Sequence, residues 1–225
     1  MSDATQTSPQ TPTLEQTLNR TDFGHFMYEN RKAFFGALLA AVICILAFIG
    51  WKQSQEASAL DRSVKVFEFH TKTWEEAKAG KMTPQELVAK YTALPTDVHS
   101  SPVMVPVALE IGKFLFEKGA YAEADTVLTK VDVSKNALGK FFVGMQRYVV
   151  LEKLGKTDEA IATLEEVLKQ EGGFMNALVA TELGRLYLTK GEKGKAQSQF
   201  DYVVSTFPND EHAKLAKLYL AQMTK

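Results

Sequence analysis

One stretch of the chain is apolar at every position, whereas elsewhere apolar residues recur at intervals. Residues Ala33–Trp51 read AFFGALLAAVICILAFIGW, a run of 19 residues without a charged side chain. As an α-helix this run would span about 28 Å, close to the roughly 30 Å of a bilayer hydrocarbon core. The pattern therefore predicts one transmembrane helix over residues 33–51.

A soluble core helix, a cleaved signal peptide and a lipoprotein signal all fit this run less well. The buried core helix of a soluble protein seldom exceeds about 14 wholly apolar residues. A cleaved signal peptide would have a 32-residue n-region and no small-residue cleavage site close after the run. A lipid-modified Cys44 would need a small residue directly before it, but Ile43 stands there. The run is therefore predicted to be an uncleaved signal anchor.

The residues beside the run predict its orientation. Arg31 and Lys32 precede it directly, whereas Lys52 alone follows it directly. By the positive-inside rule, this places residues 1–32 in the cytoplasm and residues 52–225 across the membrane. Residues 1–13 are rich in Ser, Thr, Gln and Pro and are predicted to be disordered. Residues 14–32 are predicted to be juxtamembrane, either on the membrane surface or as an extension of the anchor.

The rest of the chain carries an apolar pattern with a period of 36 residues. Four types of position occur three times at this spacing: a glycine (Gly119, Gly155, Gly191), an alanine (Ala124, Ala160, Ala196), a large apolar residue (Leu128, Leu164, Phe200) and a valine (Val131, Val167, Val203). The last three types share one helix face, and the glycine before them suits a tight turn. Each unit thus predicts two antiparallel helices that bury their apolar faces by stacking on the next unit.

The predicted fold is all-α, an antiparallel helix-pair solenoid of about nine helices behind one N-terminal transmembrane helix. The repeats lie near residues 105–136, 141–172 and 177–210. A degenerate helix pair precedes them over residues 60–95, where Thr83-Pro84-Gln85-Glu86 forms a capping box. A closing helix follows over residues 210–223, with Leu215, Leu218 and Tyr219 predicted on one face.

Composition narrows the class of function. The chain holds 26 basic and 27 acidic residues, which argues against a nucleic-acid binder. Residues 52–225 carry 23 of each sign. The single cysteine, Cys44, lies in the apolar run and excludes an intrachain disulfide or a CxxC site.

The sequence contains no pattern that indicates catalysis or a cofactor. HExxH, GxSxG, Walker and GxGxxG motifs are absent. The four histidines have no second ligand at metal-binding spacing: His25, His70, His99 and His212. Neighbouring carboxylates on a helix, such as Asp158 and Glu159, point in different directions. The sequence therefore predicts a protein that is not an enzyme and that needs no metal or cofactor.

The third unit carries Leu, Gly, Tyr, Gly, Ala, an aromatic residue and Pro in a distinctive order: Leu183, Gly184, Tyr187, Gly191, Ala196, Phe200 and Pro208. In this order the unit resembles a tetratricopeptide repeat. The first unit matches the same pattern at six positions: Ala108, Ile111, Gly112, Leu115, Gly119 and Ala124. The second unit keeps Gly155, Ala160 and Leu164 but has Tyr148 where a small glycine is usual.

This resemblance implies a protein-binding groove, because the first helix of each pair lines such a groove in the family. The implied lining is mainly apolar with two cationic points, Lys113 and Arg185. Its members are Leu109, Lys113, Phe116, Phe142, Met145, Val149, Thr181, Arg185 and Leu188. The lining suits an extended or helical apolar segment better than a charged tail. The open alternative is that single members pack against neighbouring helices instead.

Short motifs flank the apolar run: Tyr28-Glu29-Asn30-Arg31-Lys32 precedes it and Gly50-Trp51-Lys52 follows it. They resemble the flanks of a bacterial family, the tetratricopeptide-like ancillary subunit of the SecYEG translocon. The resemblance implies a single-pass inner-membrane protein with periplasmic repeats. Its implied partners are SecYEG, a membrane-anchored prolyl-isomerase-like periplasmic chaperone, and emerging secretory proteins as clients. A scaffold for envelope assembly or cell division, acting through self-association or other protein partners, is the alternative.

Overall fold

The computed structural model describes residue 26 and residues 30–169 and 175–224, and the regular elements in these ranges are all helical. The prediction of an all-α fold is therefore confirmed. The chain divides into two compact units, Met1–Ser58 and Ala59–Lys225. The predicted disordered tail, residues 1–13, and most of the predicted juxtamembrane segment lie outside the described residues.

The apolar run forms part of a long helix, α1 (Arg31–Glu68). Its most apolar 18-residue window has a mean hydropathy of 2.2, and none of that window is buried. In length and composition the helix can cross a membrane. A π-helical segment (Phe69–Trp74) and a further α-helical turn, α2 (Glu75–Lys78), continue directly from α1.

Nine further helices follow within the described part of the second unit. They are α3 (Pro84–Thr92), α4 (Thr96–His99), α5 (Met104–Glu117), α6 (Tyr121–Lys130), α7 (Ala137–Lys153), α8 (Thr157–Leu168), α9 (Asn176–Thr189), α10 (Lys193–Thr206) and α11 (Glu211–Met223). The predicted capping box is present at the start of α3, because the Thr83 hydroxyl accepts from the Glu86 N–H and the Glu86 carboxylate accepts from the Thr83 N–H.

The repeating glycines end the first helix of each pair. Gly119, Gly155 and Gly191 have φ of 74°, 71° and 80°, a left-handed conformation that side chains disfavour. After the first of these helices, the Ala120 N–H donates to the Leu115 carbonyl, five residues earlier, at 2.9 Å. A hydrogen bond of this span is typical of a Schellman motif. Gly80 ends α2 with the same geometry and a φ of 71°. The degenerate pair has therefore kept the turn although it has lost most of the sequence motif.

The helices stack in chain order. Within the repeats α5 packs on α6, α7 on α8 and α9 on α10, and each pair also contacts the next. The first core cluster consists of buried apolar residues between Val66 and Val131, joined by Val143 and Val150. The second core cluster consists of Phe141, Tyr148 and Leu151 with buried apolar residues from Ala160 to Ala216. Helix α7 therefore contributes to both clusters.

Glycines in the first helices let the paired helix approach closely. A Cβ at Gly112 would lie 3.0 Å from Leu128 Cδ2, and a Cβ at Gly184 would lie 2.6 Å from Phe200 Cε1. In the second unit Tyr148 replaces this glycine, and the close approach moves one turn to Gly144, which faces Val167. The missing glycine of the second unit is thus compensated one turn earlier.

The prediction for the closing helix α11 is partly wrong. Its packed face consists of Ala213 and Ala216, with Leu220 partly buried, whereas Leu215 and Leu218 are exposed. Tyr219 does reach the core, where its ring stacks on Phe200 with centroids 4.9 Å apart. The two alanines are therefore the residues of this helix that pack most completely against its neighbours.

Candidate protein-binding groove

A groove of 490 Å³ lies between helices α5 and α7. It is lined by Leu109, Glu110, Lys113, Phe116, Gln146 and Val149. Four of these six residues were predicted from the sequence: Leu109, Lys113, Phe116 and Val149. The structure therefore brings together the predicted members from the first unit and one from the second.

The spacing along α5 explains this lining. Leu109, Lys113 and Phe116 lie four and then three residues apart, so they share one helix face. The neighbouring face, with Ala108, Ile111 and Leu115, is fully buried in the first core cluster. Leu109 and Phe116 also pack partly against that cluster, which fixes the apolar floor of the groove.

Lys113 supplies the accessible positive charge of the groove. Its side chain is 74% exposed, and its ion pair with Glu117 is long, at 3.9 Å. Such solvated pairs contribute little to stability, so they hold the side chain weakly. The ammonium group is therefore accessible to an acidic group on a bound segment.

Glu110 and Gln146 complete the groove, and the sequence reasoning missed both. Gln146 Nε2 donates to the Leu109 carbonyl at 3.1 Å and so ties α7 to α5. One Glu110 oxygen, Oε2, accepts from Trp74 Nε1 at 3.2 Å and lies 3.4 Å from His70 Nε2. The π-helical segment thus supports the acidic side of the groove. Glu110 precedes Lys113 by three residues, and this helical spacing was the signal that could have identified it.

The other predicted members from the second unit lie away from this lining. Phe142 is largely exposed, and its ring meets that of Phe141 edge-on, with centroids 5.2 Å apart. Met145 is partly buried against the second core cluster. Neither residue lines the groove between α5 and α7.

Thr181 was predicted to line the groove, and this prediction is wrong. Its side chain is fully buried, and its hydroxyl donates to the Ala177 carbonyl at 2.7 Å. It therefore presents no surface to a partner. Leu188 is partly buried and packs against the second core cluster.

Arg185 does not serve as an open cationic point. Its two terminal nitrogens bind both oxygens of Glu152, at 2.9 and 2.6 Å, and Nε binds Glu182 at 2.8 Å. These hydrogen bonds, that to Glu152 above all, raise the pKa of Arg185. Burial first and the charge of Glu182 second raise the pKa of Tyr148 beside this network to about 12. The guanidinium is thus neutralised by two carboxylates within the fold.

The groove offers apolar contact with a charge at its edge, which suits non-covalent binding of a segment. Within the ranges that the structure describes, no group of three or more His, Cys, Asp or Glu could hold a metal ion. The groove itself is defined by its apolar lining and by the charges of Lys113 and Glu110.

Comparison with known families agrees with this architecture. The family model of a tetratricopeptide repeat-like domain matches residues 25–225. No curated protein gives a significant match. Domains of this family generally bind proteins, which fits a role as an interaction adaptor. Because the match covers nearly the whole length, including all the repeat helices, the chain belongs to the tetratricopeptide repeat-like domain family.

Proposed function

We propose that this protein is a non-enzymatic, membrane-anchored adaptor that binds other proteins through the groove between α5 and α7. In this proposal it is ancillary to the SecYEG translocon. It cooperates with a membrane-anchored, prolyl-isomerase-like periplasmic chaperone on emerging secretory proteins. The groove carries the proposal, because it joins apolar floor residues from two repeats with two accessible charges, Lys113 and Glu110.

The proposed topology is that of a single-pass protein of the bacterial inner membrane. Residues 33–51 span the bilayer, residues 1–32 are cytoplasmic and residues 52–225 are periplasmic. The exposed apolar surface of α1 and the basic pair Arg31 and Lys32 support this arrangement. A phosphatase reporter fused after Lys225 is expected to be active, and an inactive reporter would reverse the orientation.

The proposed occupant of the groove is an apolar segment of an unfolded or partly folded protein. Leu109, Phe116 and Val149 supply the apolar surface, and Lys113 favours an acidic flank on the segment. Anchoring restricts the domain to the membrane surface, which raises its effective concentration near emerging chains. Weak binding at the groove is then sufficient for repeated capture and release.

Photocrosslinking in intact cells tests this site. A crosslinking amino acid at Phe116 is expected to capture translocon subunits, the chaperone or secretory clients. The same amino acid at Gln197, an exposed position on α10 outside the groove, provides the matched control. Equal yields at both positions, or no product at Phe116, would contradict the proposed groove.

Co-purification tests the proposed partners. After mild detergent extraction, the full chain is expected to carry SecYEG and the chaperone. Lys113→Glu reverses the accessible charge without touching the core and is expected to reduce acidic clients severalfold. Lys214→Glu, an exposed charge reversal on α11, is the control. Isolation of the wild-type chain free of both partners would overturn the translocon proposal.

One observation favours the scaffold alternative. The closing helix leaves Leu215 and Leu218 exposed at the end of the repeats. If a second copy covers this face, the full chain in detergent sediments as an oligomer, and Leu218→Ser shifts it to the monomer. A wild-type monomer at all concentrations would remove this alternative.

A further inference from the structure

His99 is the most unusual buried group of the second unit. It ends the short helix α4, and 1% of its surface is exposed. Its ring packs edge-on against Tyr91, with centroids 4.8 Å apart. Among the described residues, neither ring nitrogen of His99 has a hydrogen-bond partner, and the Tyr91 hydroxyl has none either. An imidazole in such a place is tolerated best when it is neutral.

The surroundings of His99 disfavour a proton on the ring. Burial lowers the pKa of His99 most, and the positive charge of Lys130 on α6 lowers it further. A contact of the ring with the backbone of Leu94 raises the pKa of His99, against these two effects. Protonation would therefore place a cation, without a carboxylate beside it, among the apolar residues of the first core cluster.

The other titratable groups nearby do not offer compensation. Burial raises the pKa of Tyr91 on α3, so it supplies no negative charge. The carboxylate of Asp132, in the loop after α6, accepts from the Ser134 N–H at 2.8 Å. Asp97 lies on α4 itself, and its side chain is exposed to solvent.

The position of His99 gives it a structural role. Helix α4 joins the degenerate pair to the first repeat, and the His99 carbonyl accepts from the Asp132 N–H at 3.1 Å. Helix α3, which carries Tyr91, packs on α6 of that repeat. A single side chain therefore sits where three segments meet.

We propose that His99 is an acid-sensitive lock at this junction. The neutral ring holds α3 and α4 on the first repeat, and protonation releases them while the second core cluster stays folded. The trigger is mild acidification, because a solvent-exposed imidazole titrates near pH 6.5.

The direction of the effect follows from the lowered pKa. Above about pH 6.5 the ring is neutral in both the closed and the released state, so no stability is lost. As the pH falls below that value, the released state binds the proton first, and opening is favoured up to about tenfold per pH unit. The loss of stability levels off once the pH falls below the pKa of His99 in the closed state.

Trp74 provides a local probe for the test. The chain has two tryptophans, Trp51 and Trp74, and Trp74 is buried in the first core cluster. The full chain with Trp51→Phe, in detergent micelles, is titrated between about pH 7.5 and pH 5. Trp74 emission is expected to shift to the red, and amide exchange, corrected for its intrinsic pH dependence, is expected to rise in α3 and α4 but not in α9 and α10.

Histidine variants separate this lock from general acid sensitivity. His99→Leu is expected to abolish the acid response, whereas His70→Gln and His212→Gln are expected to keep it. Persistence of the response in His99→Leu would overturn the proposal, as would a wild-type chain that shows none. If His99→Leu does not fold, NMR of the wild-type imidazoles decides: a His99 midpoint at or above those of His70 and His212 excludes the lock.

Discussion

Each of the two core clusters buries a tyrosine, but the tyrosine hydroxyl has a partner in one cluster and none in the other. Tyr187 in the second cluster donates to Glu165 of the preceding repeat at 2.5 Å. Tyr91 in the first cluster has no partner for its hydroxyl among the described residues. A buried hydroxyl without a partner costs roughly 1–3 kcal/mol relative to a paired one.

The comparison shows what a well-formed repeat provides beyond apolar packing. In the second cluster, Arg185 on α9 also joins Glu152 of α7 to Glu182 of its own helix. The Thr181 hydroxyl donates to a carbonyl within α9. The degenerate pair keeps the glycine turn but leaves the Tyr91 hydroxyl without a partner among the described residues. We therefore expect local stability to be lower in the first cluster than in the second.

The largest expected effect tests whether the clusters open separately. Phe200→Ala removes a fully buried ring and should lower the free energy of unfolding by about 3–5 kcal/mol. Amide exchange should increase first in α9, α10 and α11, while α3 to α6 keep their protection. Leu218→Ala, at an exposed position, is the control and should change stability by less than about 0.5 kcal/mol. An equal loss of amide protection in all helices would show that the two clusters unfold as one cooperative unit and do not differ in local stability.

A smaller effect is expected at the charged network of the second cluster. Arg185→Met leaves Glu152 and Glu182, both less than one third exposed, without their partner. The free energy of unfolding should fall by about 2 kcal/mol in denaturant titrations. Lys113→Met removes a solvated charge and should have almost no effect. Equal losses of unfolding free energy in the two variants would mean that the Arg185 network stabilises the fold no more than a solvated surface charge does.

The smallest effect concerns the two tyrosines directly. Tyr187→Phe removes the bond to Glu165 and should cost about 1 kcal/mol, measured as a shift in the urea midpoint. Tyr91→Phe removes an unpaired hydroxyl and should leave stability unchanged or raised. Opposite effects of the two substitutions on stability would confirm that only the hydroxyl in the second cluster has a stabilising partner. A loss at Tyr91 equal to that at Tyr187 would show that its hydroxyl has a partner in solution.

Most of the fold could be predicted because its determinants are local in the sequence. The 36-residue spacing identified Gly119, Gly155 and Gly191, and all three adopt the positive φ that makes glycine necessary there. Gly80 escaped notice because it lies 39 residues before Gly119, outside the common spacing. The close approach at Gly144 was also missed, since the pattern placed Tyr148 at the expected position.

The candidate site was predicted only in part, because the residues that line the groove depend on the orientation of each helix about its own axis. On α5 the spacing of Leu109 and Phe116 placed them on one helix face, and both residues line the groove. On α9 nearly every position is apolar or small, so the spacing could not show that Thr181 faces the core. The partners of Arg185 come from two different helices, and sequence distance gives no sign of Glu152.

The contribution of α7 to both core clusters couples binding to stability across the domain. This helix also supplies one wall of the groove through Gln146 and Val149. A segment bound there at a hundred times its dissociation constant would stabilise the native state by about 2.7 kcal/mol. Because Val143 and Val150 belong to one cluster and Phe141 and Leu151 to the other, that gain reaches both. By thermodynamic linkage, the domain with a bound segment would therefore unfold at a higher temperature than the free domain, in both core clusters.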